Sequence, residues 1–175
     1  MVLSSTSGAE KAIINTAIDA LRAGGSTAGA SGLQLAYSAA QQGFIKGGIN
    51  RILLATDGDF NVGVSDDRQL KSMVEEKRKS GISLSTLGFG TGNYNERMME
   101  QIADVGDGAY SYIDNLMEGH KVLVNEMTST LATIARDVKV QIEFNPAVVK
   151  EYRQIGYENR QLNREDFNND KVDAG

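Results

Sequence analysis

Cysteine is absent from all 175 residues, which excludes disulfides, zinc–thiolate centres and thiol nucleophiles while leaving the compartment open. Proline is almost absent too: Pro146 is the only one, against 19 glycines, so tight turns and close backbone approaches fall to glycine. One histidine, His120, stands without a second histidine or any cysteine, and reads as an ordinary helical surface residue. No apolar run approaches the roughly 20 residues of a membrane span, and no signal-peptide pattern follows Met1. Clustered positive charge is scarce. The net charge is −5, and the one basic triplet, Lys77-Arg78-Lys79, suits the negative end of a helix dipole better than a nucleic acid.

What is present describes an ordinary folded domain. The chain is 41% hydrophobic and 23% charged, long enough to bury a core. Its most informative stretch is Arg51-Ile52-Leu53-Leu54-Ala55-Thr56-Asp57-Gly58-Asp59-Phe60-Asn61. A short continuous apolar run there predicts a strand covered on both faces in a parallel sheet. The strand stops at carboxylates and a glycine, at the strand end where open α/β sheets place their ligands.

The periodicities alternate along the chain. Residues 1–4 read as the tail of a strand. Residues 7–22 read as a helix with Ile13, Ile14, Ala17, Ile18 and Leu21 on one face and a Ser7–Glu10 capping box. A glycine loop over 23–27 leads into an alanine-rich helix from about 30 to 42. Strands follow at 51–56, 82–87 and 109–113, and helices at 66–80, 95–105 and 114–136, with Gly81 as a C-cap. This βαβα order predicts a doubly wound, mostly parallel sheet with helices on both faces. After Asp137 the period changes to two: Val138, Val140, Ile142 and Phe144 alternate with polar residues. The chain therefore divides into an α/β domain at 1–136 and the opening of a β-rich extension at 137–175.

Several motifs fall away on their spacing. Asp57-x-Asp59-x-Asn61 lacks the glycine and the glutamate of a helix–loop–helix calcium loop, having Val62 and Arg68 instead. A strand ending in Asp-x-Asp is similar to the haloacid-dehalogenase phosphotransferases, with Asp57 as nucleophile and Asp59 as acid/base. That reading lacks a matching lysine and acidic pair downstream. Gly88-x-Gly90-x-Gly92 has the wrong spacing for a dinucleotide loop and reads as a tight strand-to-helix turn. Tyr110 and Tyr112 alternate along a strand and read as packing.

Three loops taken together carry more. Gly24-Gly25-Ser26-Thr27-Ala28-Gly29 with Gly32-Leu33, then Thr56-Asp57-Gly58, then the strand and loop from Ile82 to Gly90, resemble in order and spacing the von Willebrand factor type A domain over roughly residues 1–136. The segment from Asp137 through Phe144-Asn145-Pro146 to Tyr152-Arg153 and Gly156-Tyr157 resembles the carboxy-terminal extension of bacterial type A proteins of the calcium-activated-channel-like group. The resemblance implies a non-enzymatic protein-binding module whose metal-ion-dependent adhesion site holds Mg²⁺, or a similar divalent ion, for a partner carboxylate. Thr27 and Asp57 match two of its ligands. Ser26 beside Thr27, and Asp59 acting through a bound water, are the candidate supports. The resemblance also suggests a bacterial cell-envelope or extracytoplasmic setting.

The family's Asp-x-Ser-x-Ser motif occurs nowhere in this sequence. Val2-Leu3-Ser4 corresponds to the family's third strand, so the first strands are expected to be missing and metal binding by this chain to be weak. Two further readings remain: the phosphotransferase built on Asp57 and Asp59, and a structural α/β domain without a working site. A central strand at Arg51–Thr56 deprived of a neighbour would expose a row of backbone groups, so a homo-oligomer or a strand swap through that segment is expected.

Overall fold

Among the described residues three strands form one parallel sheet in the order β1-β2-β3: β1 (Arg51–Thr56), β2 (Ser83–Phe89) and β3 (Tyr110–Ile113). The computed structural model describes residues 1–22, 29–57, 67–90, 95–126, 139–155, 162–165 and 167–168. The chain divides into two compact units, Met1–Ala132 and Thr133–Gly175. In the first, α1 (Lys11–Asp19) and α2 (Gly29–Gln42) precede β1, α3 (Asp67–Arg78) links β1 to β2, and α4 (Glu96–Val105) links β2 to β3. A short α5 (Leu116–His120) then runs into a π-helical turn, Lys121–Asn125.

The helix ends follow local chemistry. Asn95 caps α4 by accepting the Met98 N–H at 3.1 Å, and Asn115 caps α5 by accepting the Glu118 N–H at 2.9 Å. Gly81 closes α3 with a φ of 84°, donating its N–H to the Arg78 carbonyl at 2.8 Å. Each of these lies within a residue or two of the boundary that the sequence predicts.

The strands divide their side chains between two faces. Ile52, Ile82 and Leu84 meet Leu33 and Tyr37 of α2, Leu70 and Val74 of α3, and Met98 and Ile102 of α4 in the main core. Each large aliphatic chain buried there contributes about 1.5–3 kcal/mol. Thr86, on the same face, donates its hydroxyl to the Met99 carbonyl at 3.0 Å and so keeps its burial satisfied. On the other face Leu87 and Ile113 pack with Val122 of the π-helical turn. Helices thus cover both faces of β2, as expected of a doubly wound sheet.

Three expectations need correction. Residues 1–4 form no strand. The first helix starts only at Lys11, which puts Glu10 at the N-cap and not three residues inside, so no capping box forms. Ser7 Oγ instead accepts the Ala9 N–H at 3.3 Å, a local serine turn. Of the helix expected over 114–136, the described part runs through α5 and the π-helical turn, and residues 127–136 lie outside the described residues. In the second unit, residues 139–145 have no strand ladder. Val140 and Ile142 are 80% and 70% exposed, because an alternating segment becomes a strand only where another strand pairs with it.

Tyr37 is wholly buried, and its hydroxyl has no hydrogen-bond partner among the described residues. Burial, reinforced by the Asp107 carboxylate, pushes its phenol up to about 12. A raised phenol favours the neutral form in the folded state. Its stabilisation is therefore full below the unfolded value near 10 and lost as pH rises toward 12. Tyr37→Phe is expected to hold or gain up to about 1 kcal/mol at neutral pH, because an unpaired buried hydroxyl is removed at constant shape. It should also flatten the alkaline decline. Denaturant melts at neutral and alkaline pH test this, and a clear loss at neutral pH would reveal a partner for the hydroxyl.

Candidate functional site at the carboxyl edge of the sheet

The strands run parallel, so their carboxyl ends gather at one edge. Thr56 of β1, Gly88 of β2 and Tyr112 of β3 stand in one row. Asp57 follows directly after β1, exposed at that edge. Gly90, one residue past β2, adopts a φ of 92°, a conformation that glycine takes without strain. A Cβ built on Gly90 would lie 3.8 Å from Asp57 Cβ, so Gly90 stands against the aspartate. The Tyr112 hydroxyl donates to the Gly90 carbonyl. At the end of β3, Asp114 accepts from the Asn115 amide at 2.6 Å.

Of the residues that the sequence singles out, Asp57 lies at the expected strand end. Thr27, Ser26 and Asp59 fall outside the described residues. Gly88 belongs to β2 and Gly90 to the turn, while residues 91–94 lie outside the described residues. His120 ends α5, exposed. Tyr112 is the residue that sequence reasoning missed: alternation with Tyr110 suggested packing, whereas its hydroxyl reaches the turn beside Asp57. The signal was its place opposite a glycine, visible only once the register is known.

A parallel sheet covered by helices, with an aspartate directly after the carboxyl end of a strand, defines a Rossmann-like α/β fold. The family model of the von Willebrand factor type A domain matches residues 1–129, and the chain belongs to that family. Residues 129–175 match a second model, described as "Uncharacterized protein YfbK, C-terminal". The chain is 65% identical over its whole length to a protein of Escherichia coli (strain K12) described as "Uncharacterized protein YfbK", of which it spans 30%. It is 33% identical over 159 residues to "Uncharacterized protein sll0103" of Synechocystis, aligning over 86% of this chain and 36% of that one. It thus spans about a third of each of these relatives. The fold is similar to the crystal structure of the conserved hypothetical protein BatB from Bacteroides thetaiotaomicron, with a TM-score of 0.53, 20% identity and 69% of both chains covered.

The donor chemistry suits a hard divalent ion in kind, since Asp57 offers a carboxylate and Thr27 a hydroxyl. It falls short in number. Among the described residues no three carboxylates or histidines gather into a metal cluster. Mg²⁺ surrenders water only to a near-octahedral set of hard oxygens, so these residues do not by themselves fill its shell. Among the described residues no helix is long and apolar enough to cross a membrane.

Proposed function

We propose that this chain is part of a protein-binding module that recognises a carboxylate-bearing partner at the edge marked by Asp57. In the complete protein a divalent ion such as Mg²⁺, held partly by Asp57 and Thr27, would bridge to the partner, with Ser26 and Asp59 in support. The observation that carries this reading is the position of Asp57, exposed at the carboxyl end of β1 beside the Gly90 turn. Family membership supports it, because type A domains are protein-interaction modules and often bind a divalent metal. The reading is non-enzymatic, and the bacterial relatives support a bacterial setting, for which we propose the cell envelope.

Mn²⁺ titration of the labelled chain tests it, with nuclear magnetic resonance following the paramagnetic broadening of individual amides. Broadening centred on Asp57, weak in affinity and abolished by Asp57→Asn, is the expected result. Uniform broadening that Asp57→Asn leaves unchanged would remove the metal from this edge. Hydrolysis of an aryl phosphate with Mg²⁺, abolished by the same substitution, would instead favour a phosphotransferase using Asp57 and Asp59.

A further inference from the structure

We infer that Tyr112 is a positioning residue for the Asp57 edge: through the Gly90 carbonyl it holds Gly90 in place against the aspartate. The inference rests on the reading of that edge as the recognition surface.

The geometry follows from the register. Tyr112 pairs with Gly88, so its side chain stands beside a β2 position that carries no side chain of its own. From there the hydroxyl reaches just past the end of β2 and donates to the Gly90 carbonyl. Gly90 has left the strand and holds a φ of 92°. Glycine visits that region freely, but it visits others as freely, so its own backbone offers no reason to stay there. The Tyr112 hydroxyl selects one arrangement. In that arrangement a Cβ on Gly90 would stand 3.8 Å from Asp57 Cβ, so Gly90 borders the aspartate. The same bond engages the Gly90 carbonyl, leaving less of its negative end to compete with the Asp57 carboxylate for a cation or donor.

A residue used only for packing would need its ring alone. Tyr112 is 36% exposed, on the shortest strand of the sheet, and among the described residues it belongs to neither core cluster. What the hydroxyl contributes is the order of Gly90. Outer partners of this kind typically alter affinity at a metal edge by about 10–100-fold when removed. Because Tyr112 acts through backbone, the lower end of that range is expected.

Tyr112→Phe keeps the ring and removes the hydroxyl. Two readouts on the whole chain separate positioning from structure. Without metal, backbone order parameters at Gly90 and Asp57 should fall from about 0.85 toward 0.6 while those of β1 and β2 stay unchanged. With Mn²⁺ alone, the variant should need about tenfold more metal for the same broadening at Asp57, with a Tm within about 2 °C of the parent. Unchanged order parameters with an unchanged titration overturn the inference. So does a general loss of order through the sheet, which would make Tyr112 structural. Broadening that Asp57→Asn fails to remove refutes the metal reading itself, and the order parameters then decide the tether alone.

Discussion

Replacing Gly108 with alanine is expected to unfold the first unit or to cost it at least about 3 kcal/mol, a fall in Tm of about 10 °C. Gly108 lies in the turn between α4 and β3, where a Cβ would stand 1.9 Å from the Leu84 carbonyl oxygen and 2.4 Å from its carbon. Both obstacles are backbone of β2, which no rotamer change can move. The turn is held against β2 by the Leu84 N–H donating to the Gly106 carbonyl at 2.8 Å and the Thr86 N–H donating to the Ala109 carbonyl at 3.0 Å. The Ala109 N–H completes the seam, donating to Ser85 Oγ at 3.1 Å. Making room for a methyl breaks this seam and lifts β3 from the sheet. Between the two glycines Asp107 takes a φ of 53°, and its carboxylate accepts from Arg78 Nη1 at 2.5 Å. Gly32→Ala gives a control of opposite sign. Gly32 sits inside α2 with nothing within 4 Å of the added methyl among the described residues, so alanine there should stabilise by about 0.5–1 kcal/mol. Thermal melts of both variants decide the matter. A Gly108→Ala protein that melts with the parent would show that β2 yields, and the close approach would lose its role.

The contrast between these glycines shows what the sequence can reveal. An excess of glycine over proline implies close approaches somewhere, yet Gly32 and Gly108 look alike until α4 and β2 are placed against each other. The strand Arg51–Thr56 was legible in full, because a four-residue apolar run closed by Asp-Gly leaves little choice of length or end. The helices α2 and α4 lie close to the bounds expected for them, 30–42 and 95–105. The Ser7–Glu10 pair misled, since a capping box is a statement about where a helix starts and the spacing alone does not set that start. Val138 to Phe144 misled for another reason: alternation describes what a segment could pair with, and residues 139–145 have no ladder. At the candidate edge, the place of Asp57 just after β1 was readable from its strand end. Tyr112 was not, because its contact with Gly90 crosses from β3 to β2 and no local pattern encodes it.

The open side of β1 leads to the second large effect: self-association of this chain through Arg51–Thr56. Among the described residues β1 pairs with β2 and with no other strand, so within them it forms an edge of the sheet. The Ser83 N–H donates to the Asn50 carbonyl at 3.0 Å, which fixes the phase of the parallel ladder. Residues 52 and 54 then turn their backbone groups toward β2, and Leu53 and Ala55 turn theirs toward the open edge. The side chain of Leu53 is 44% exposed, and Ala55 is exposed as well. An apolar edge without lysine, proline or a bulge is a template for another strand. We therefore expect the chain to form dimers or larger species at micromolar concentrations. Amide exchange at Leu53 and Ala55 should slow as the concentration rises. Leu53→Lys places a charge on that edge while leaving the β1–β2 ladder intact, and should weaken association at least tenfold, about 1.4 kcal/mol. Sedimentation velocity over a concentration series reads both effects. A parent chain that sediments as a monomer throughout, with Leu53 and Ala55 exchanging at a constant rate, would refute pairing at this edge.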